Sequence, residues 1–266
     1  MEEALRVFRS GLNAYDLMKP EEGWQVEESD ETERASVLIR ERRILLPKRK
    51  AWTRQSIMRL FRHELEGHVL RAESGRCSAL QLLGIGFAGQ LAAEEGLASL
   101  LGQGNNLPEM PAEENGKSAL LVVGLALGSL SQPRSFRQVF TFLRDYWFVE
   151  AMQQYPEEDD AVAWNEAERK AYRRCLRTFR GGSVPGSPLW CLPKDLAYAD
   201  GKRQLATMFR GHSNRHNQAL LNLLRVGRTS FHPCHLRTLR ELGIVQPLIA
   251  PRDLCSETDF IAQFWQ

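Results

Sequence analysis

Residues 62–75 read RHELEGHVLRAESG, and the six residues His63-Glu64-Leu65-Glu66-Gly67-His68 decide how the chain is read. A hydrolytic metal centre needs neutral imidazoles to hold the ion and a carboxylate to take a proton from water. In the familiar H-E-x-x-H arrangement the two histidines stand four apart and share a helix face. Here they stand five apart. On a regular helix that spacing turns the second ring about 140° from the first. Absorbing one residue in a π-type turn restores the four-residue offset and leaves the rings about 40° apart. Gly67 is a suitable place for the distortion because it carries no obstructing side chain. The sequence therefore predicts an i→i+5 turn between about residues 62 and 68.

The flanks supply the frame. From Thr53 to about Ser74, Ile57, Leu60, Phe61, Leu65, Val69 and Leu70 recur at helical spacing, and Gly75 marks the expected end. Upstream, Ser36–Leu46 (SVLIRERRILL) reads as a strand or tight hairpin closed by Pro47. The first 33 residues read as a short helix and an acidic, loop-like stretch. Downstream, Gly84, Gly86 and Gly89 break the chain before a helix beginning near Leu91, and residues 103–117 read as a loop. Apolar helices are expected at about 118–130, 134–154 and 160–179, then a Gly/Pro-rich segment at 179–193, then broken helix from Asp195 to about Gly243. The fold class is mainly α (α+β), with a small β-sheet beside the histidine helix. The expected organisation is an acidic N-terminal segment at 1–35, one domain at 36–253 and a C-terminal tail at 254–266.

The chain's 266 residues are 43% hydrophobic and 26% charged, the balance of a soluble globular protein rather than a disordered or collagen-like one. The longest apolar run, Ala79–Leu101, contains Glu94 and Glu95, so no membrane span is expected. MEEALRVFRS is no secretory signal, and five cysteines without a CxxC pair suit a reducing, cytoplasmic setting. Charge is segregated: residues 1–33 hold ten acids against three bases, 34–76 twelve bases against four acids, and 169–253 sixteen against four. Basic faces attract anionic partners, which include an acidic peptide, a free carboxylate or nucleic acid. No helix-turn-helix or stacking pattern supports nucleic acid.

H-E-x-x-x-H alone is a weak pattern. The second element is Glu94-Glu95-Gly96-Leu97-Ala98, 31 residues after His63. An acidic pair in an apolar run is costly to bury unless it is paired or binds a metal. A carboxylate from the next helix also supplies the third protein ligand that two histidines lack. Other candidates carry less. His212 and His216 are four apart but have no acid near them; Pro233 makes FHPCH (231–235) a strand-to-helix turn; and Gly84–Gly89, though it resembles GxGxxG, follows a helical run rather than a strand.

With both elements in place, the sequence resembles the microtubule-associated tyrosine carboxypeptidase family, whose bacterial relatives carry a Q/E-E-G-L-A motif. The matching stretches are HELEGHVLRAESG (63–75), EEGLA (94–98), RTFRGG (177–182), PKDLAYADG (193–201) and LLRVGRTSFHPCHLRTLRELGIVQPLIAP (223–251). The residues after the first motif depart from the family's usual polar ones, being Arg76-Cys77-Ser78. The resemblance implies a zincin-like helical metallopeptidase domain with one zinc ion per chain, held by His63, His68 and Glu95, and with Glu64 as general base. Glu94 fills the motif's variable first position and is assigned to orienting a histidine, the alternative being Glu94 itself as the ligand.

The implied reaction is removal of a C-terminal residue, aromatic among the options, from a peptide or protein, by a zinc-bound water that Glu64 activates. A cation must then receive the terminal carboxylate, and Arg177, Arg180 and Lys194 are the candidates in the matching stretches. Tyr198 is the candidate donor to the developing oxyanion. The strand at 37–46 could pair with an extended substrate. Two alternatives stay open: a zinc hydrolase of a modified peptide or small amide, and a non-catalytic basic module for an anionic partner. Oligomeric state is not legible.

Overall fold

A computed structural model describes residues 1–32, 34–48, 51–103, 114–129, 132–155, 157, 159–180 and 191–250. The expected C-terminal tail, most of the 103–117 loop and most of the Gly/Pro-rich 179–193 segment lie outside the described residues. The protein is mostly helical, with one three-stranded sheet. Its residues divide into two compact units, 1–110 with 200–266, and 111–199.

In the first unit, α1 (Glu2–Ala14) precedes β1 (Gln25–Ser29), β2 (Ser36–Leu38) and β3 (Arg43–Pro47). The stretch Ser36–Pro47 is the hairpin that its β-branched start and closing proline indicated, with β2 antiparallel to β3. Strand β1 was not anticipated. It lies in the stretch read as an acidic loop and pairs in parallel with β3, Val26 opposite Ile44. Its acidic composition hid it, because Glu27 is held by an ion pair with Arg43 of the neighbouring strand. Since β3 is paired on both sides, only β1 and β2 are edges.

A single helical run then extends from Arg54 to Cys77 in three parts: α2 (Arg54–Phe61), a π-helical segment (Arg62–Val69) and α3 (Leu70–Cys77). Thr53 starts it with a reciprocal capping box to Ser56, which satisfies orphan amides at the helix start. Gly75 does not end it. A Cβ there would stand 2.3 Å from the Leu83 carbonyl oxygen, so the glycine permits a close approach of backbones instead. Beyond it come α4 (Leu82–Ile85) and α5 (Gln90–Gly102), which starts from Gly89 in the left-handed conformation.

One core joins α1, the sheet and the histidine helix: Val7, Phe8 and Leu12 pack with Trp24, Val26, Ile44, Leu46, Phe61, Leu65 and Val69. The N-terminal residues are thus part of the packing around the site. A second core joins α5 to α9 (Leu196–Phe209), α10 (Asn214–Arg225) and α11 (Pro233–Glu241) through Leu97, Leu101, Leu205, Leu221, Leu224 and Leu239. Among the described residues no strand precedes α11, contrary to the strand-to-helix reading of FHPCH; His232 caps α11 and Pro233 opens it.

The second unit contains α6 (Glu114–Leu127), α7 (Phe136–Gln154) and α8 (Asp160–Thr178). Large residues of α7 (Val139, Leu143, Trp147) meet small ones of α8 (Ala167, Ala171, Cys175). No helix among the described residues is long and apolar enough to cross a membrane.

Candidate metal centre

The spacing of His63 and His68 is resolved by the backbone. Residues Arg62–Val69 are π-helical, and the Leu70 amide at the end of that segment donates to Leu65, five residues back. The two imidazole centroids lie 5.2 Å apart, with their planes inclined by 68°. Gly67 serves a second purpose there. A Cβ on it would stand 2.6 Å from Ala98 Cβ, so its lack of a side chain brings α5 against the histidine segment.

That approach delivers the acidic pair. Glu95 Oε2 is 3.9 Å from His63 Nε2 and 3.9 Å from His68 Nε2. It is also buried without a hydrogen-bond partner, an expensive condition for a carboxylate oxygen. Two imidazole nitrogens and a carboxylate oxygen are a donor set suited to a divalent ion such as zinc. A second grouping, His63, Glu64 and His68, has one potential ligand atom from each residue within 4.8 Å of the others. The donor chemistry fits a divalent metal in either set. We favour Glu95 as the third ligand, because its equidistant oxygen lacks any other partner; Glu64 is buried as well.

Behind the ligands, each histidine is oriented through its other nitrogen or its ring donor. His68 Nδ1 lies 2.9 Å from Glu94 Oε1, which directs Nε2 towards Glu95. His63 hydrogen-bonds to the backbone of Ala98. The five residues EEGLA therefore bring the third carboxylate, orient both histidines and allow two close contacts. The second contact is Gly96 against Gly201 of α9, where a Cβ would stand 2.6 Å from the Gly201 carbonyl carbon.

Electrostatics set the protonation before any metal arrives. Burial, reinforced by the charge of His68, pushes His63 down to about 3, so its ring is neutral at physiological pH. Burial also acts to lower His68, but the hydrogen bond and charge of Glu94, with Glu64 and Glu95, outweigh it and hold His68 up at about 9. For Glu94, burial is outweighed by the His68 hydrogen bond and by the charges of His68, Arg71 and Arg228, which bring it to about 2. Arg228 donates to Glu94 Oε2 from Nε at 3.1 Å.

Two groups of residues went unrecognised in the sequence. Arg71 and Arg228 are one; nothing in local spacing links them to residue 94. Lys202 and Arg59 are the other: both act electrostatically on His63, and the Arg59 side chain lies over Gly102 beside the His63 Cβ.

The remaining expected site residues lie in the second unit. Arg177 donates through Nε to the buried Asp195 at 2.7 Å, and Arg174 donates to the other oxygen at 2.9 Å. The Arg177 guanidinium also stands 5.7 Å from the centre of the Tyr198 ring. Arg180 and Lys194 are exposed. His212 and His216 stack at 4.2 Å, with Ser213 between them capping α10.

The fold is mainly helical, and the site brings two histidines together with carboxylates whose donor chemistry suits a divalent metal. The sequence profile of the microtubule-associated tyrosine carboxypeptidase family matches residues 161–257, which supports the family resemblance and points to carboxypeptidase-type activity. That match lies entirely beyond His63, His68 and Glu95. No curated protein matches the chain.

Proposed function

We propose that the protein is a zinc-dependent carboxypeptidase that removes a C-terminal residue, aromatic ones included, from a peptide or protein. The observation that carries this reading is Glu95 Oε2, buried, unpartnered and equidistant from the two histidine Nε2 atoms. One zinc ion per chain would be held by His63, His68 and Glu95. Bound there, zinc would supply a Lewis acid that acidifies water and polarises a peptide carbonyl.

The chain's own residues do the rest. Glu64, buried next to His63, takes the proton of the attacking water and passes it to the leaving amine. Glu94 holds His68 as an Nδ1 donor with Nε2 facing Glu95, where it would be free to bind the ion. Tyr198 is proposed as the donor to the developing oxyanion. For the terminal carboxylate, Lys202 and Arg59 join Arg177, Arg180 and Lys194 as candidates. Lys202 and Arg59 gain weight from their electrostatic reach to His63. Arg177 carries less weight, because Asp195 already occupies it.

Strand β2, an edge of the sheet packed beside the π-helical segment, offers backbone groups to an extended peptide. The partner is thus a peptide or protein C-terminus. The described cysteines, Cys77, Cys175, Cys191 and Cys234, are free thiols, in keeping with a cytoplasmic setting.

The test is a set of acetylated dipeptides differing in their last residue, offered to zinc-loaded protein. Release of the terminal amino acid is expected, blocked by chelator and by C-terminal amidation. Glu64→Gln should retain zinc and lose turnover by at least about a hundredfold. Turnover that survives this substitution in zinc-loaded protein would sink the assignment of Glu64.

A further inference from the structure

The segment after α10 runs Val226-Gly227-Arg228-Thr229-Ser230 and packs against both α3 and α4. A Cβ on Gly227 would stand 2.6 Å from Leu83 Cβ and 3.0 Å from Gly75 Cα, so only glycine allows the chain this close. Arg228 is then fixed by its own backbone. Its amide donates to Leu83 at 2.8 Å, and its carbonyl accepts from Phe87 at 3.0 Å. Within its guanidinium, Nη1 donates to the Ile85 carbonyl at 2.8 Å, while Nε and Nη2 each reach Glu94 Oε2 at 3.1 Å. The other oxygen of the same carboxylate holds His68.

A second arginine braces the same segment from beneath. Arg71, fully buried on α3, donates to the Leu224 carbonyl at 2.7 Å and to the Thr229 carbonyl at 2.7 Å, and its charge acts on Glu94. The Gln90 amide, oriented as its neighbours require, adds a donor to Glu94 Oε2 and accepts from Arg228 Nη2 at 3.1 Å.

We propose that Arg228, braced by Arg71, is a positioning residue for the metal centre: it clamps Glu94 so that Glu94 in turn fixes the ring of His68. A carboxylate as deeply buried as Glu94 needs a compensating cation, and a planar guanidinium reaching one oxygen from two nitrogens limits its rotation as well as its charge. The inference rests on the metal-centre reading above. It also gives the C-terminal segment, which lies inside the family match at 161–257, a direct part in a centre whose proposed ligands lie outside that match.

The test is zinc affinity by chelator competition, with denaturation midpoints of the metal-free proteins, for the wild type, Arg228→Met, Glu94→Gln and the double variant. Arg228→Met is expected to weaken zinc binding about 10- to 100-fold. Because Arg228 acts through Glu94, the double variant should bind no more weakly than Glu94→Gln alone. A merely structural arginine would instead lower the midpoint and leave affinity unchanged. Affinity within about twofold of wild type in Arg228→Met, or a further tenfold loss in the double variant beyond Glu94→Gln, overturns the proposal. If Arg228→Met does not fold, the comparison of Glu94→Gln with the double variant decides alone, since the buried carboxylate that needs the Arg228 cation is absent from both. A wild-type protein that binds no zinc overturns the centre and the clamp together. Zinc binding that ignores Arg228 overturns only the clamp.

Discussion

Gly67 and Ala98 touch so closely that a methyl group on the glycine would stand 2.6 Å from the alanine Cβ and 2.7 Å from its Cα. This contact presses the carboxylate helix α5 against the π-helical segment, and it sets how far Glu95 stands from the two histidines. Gly67→Ala is expected to push the elements apart, costing about 1–3 kcal/mol of stability and at least tenfold in metal affinity. Ala98→Gly in the same chain should return part of both. Thermal unfolding and chelator competition on the two variants measure the effect.

Metal binding should be pH-dependent through one histidine and not the other. His68 is held up at about 9 and carries a proton at neutral pH, whereas His63, pushed down to about 3, carries none. The ion must displace the His68 proton, so affinity should rise about tenfold per pH unit from about pH 6.5 towards pH 9 and then level off. For the metal-free fold the sign is reversed. A raised histidine contributes stability that is fully present below its unfolded value near 6.5 and is lost as pH rises through about 9. The lowered His63 contributes stability above about 6.5 that is lost as pH falls towards about 3. Isothermal calorimetry in buffers of different ionisation enthalpy counts the protons released. A proton count that does not fall as pH rises towards 9 argues against this assignment.

Much of this was legible because the site is built from short-range patterns. A five-residue histidine spacing and a glycine forecast the π-helical segment, and the acidic pair in an apolar run forecast a second carboxylate element. The hairpin at Ser36–Pro47 was readable from its β-branched start and closing proline. Strand β1 was hidden because one of its acids, Glu27, is balanced by Arg43 on another strand, a long-range compensation that composition conceals. Gly75 was misread for a related reason: its neighbour is the Leu83 backbone, not the end of its own helix. Arg71 and Arg228 reach their partners across more than a hundred residues, and no periodicity encodes that.

Glu95→Gln separates ligand from scaffold. Its Oε2 has no hydrogen-bond partner in the metal-free protein, so removing the charge at constant shape should change metal-free stability little, relief of the buried charge offsetting its lost attraction to protonated His68. The same substitution should weaken zinc by more than about a hundredfold if the oxygen is a ligand. Chelator competition and urea denaturation report the two quantities separately. Zinc affinity within tenfold of the wild type would return the third-ligand role to Glu64, the other carboxylate that lies with the two histidines.

Lys202 offers the last prediction. It stands next to Gly201, whose backbone meets Gly96 one residue from Glu95, and burial together with Arg59 lowers its affinity for a proton. A cation in that position can receive a substrate carboxylate with little rearrangement. Lys202→Met should therefore raise KM for peptides with a free C-terminus by about 10- to 100-fold, the loss of one charged hydrogen bond worth about 1.5–3 kcal/mol. Zinc content should stay at the wild-type level. Discrimination between a free and an amidated terminus should shrink by the same factor, because the amide never used the charge. Competitive inhibition by matched acid and amide peptides decides it: if both termini lose equally, Lys202 supports the fold of the site rather than recognition of the carboxylate.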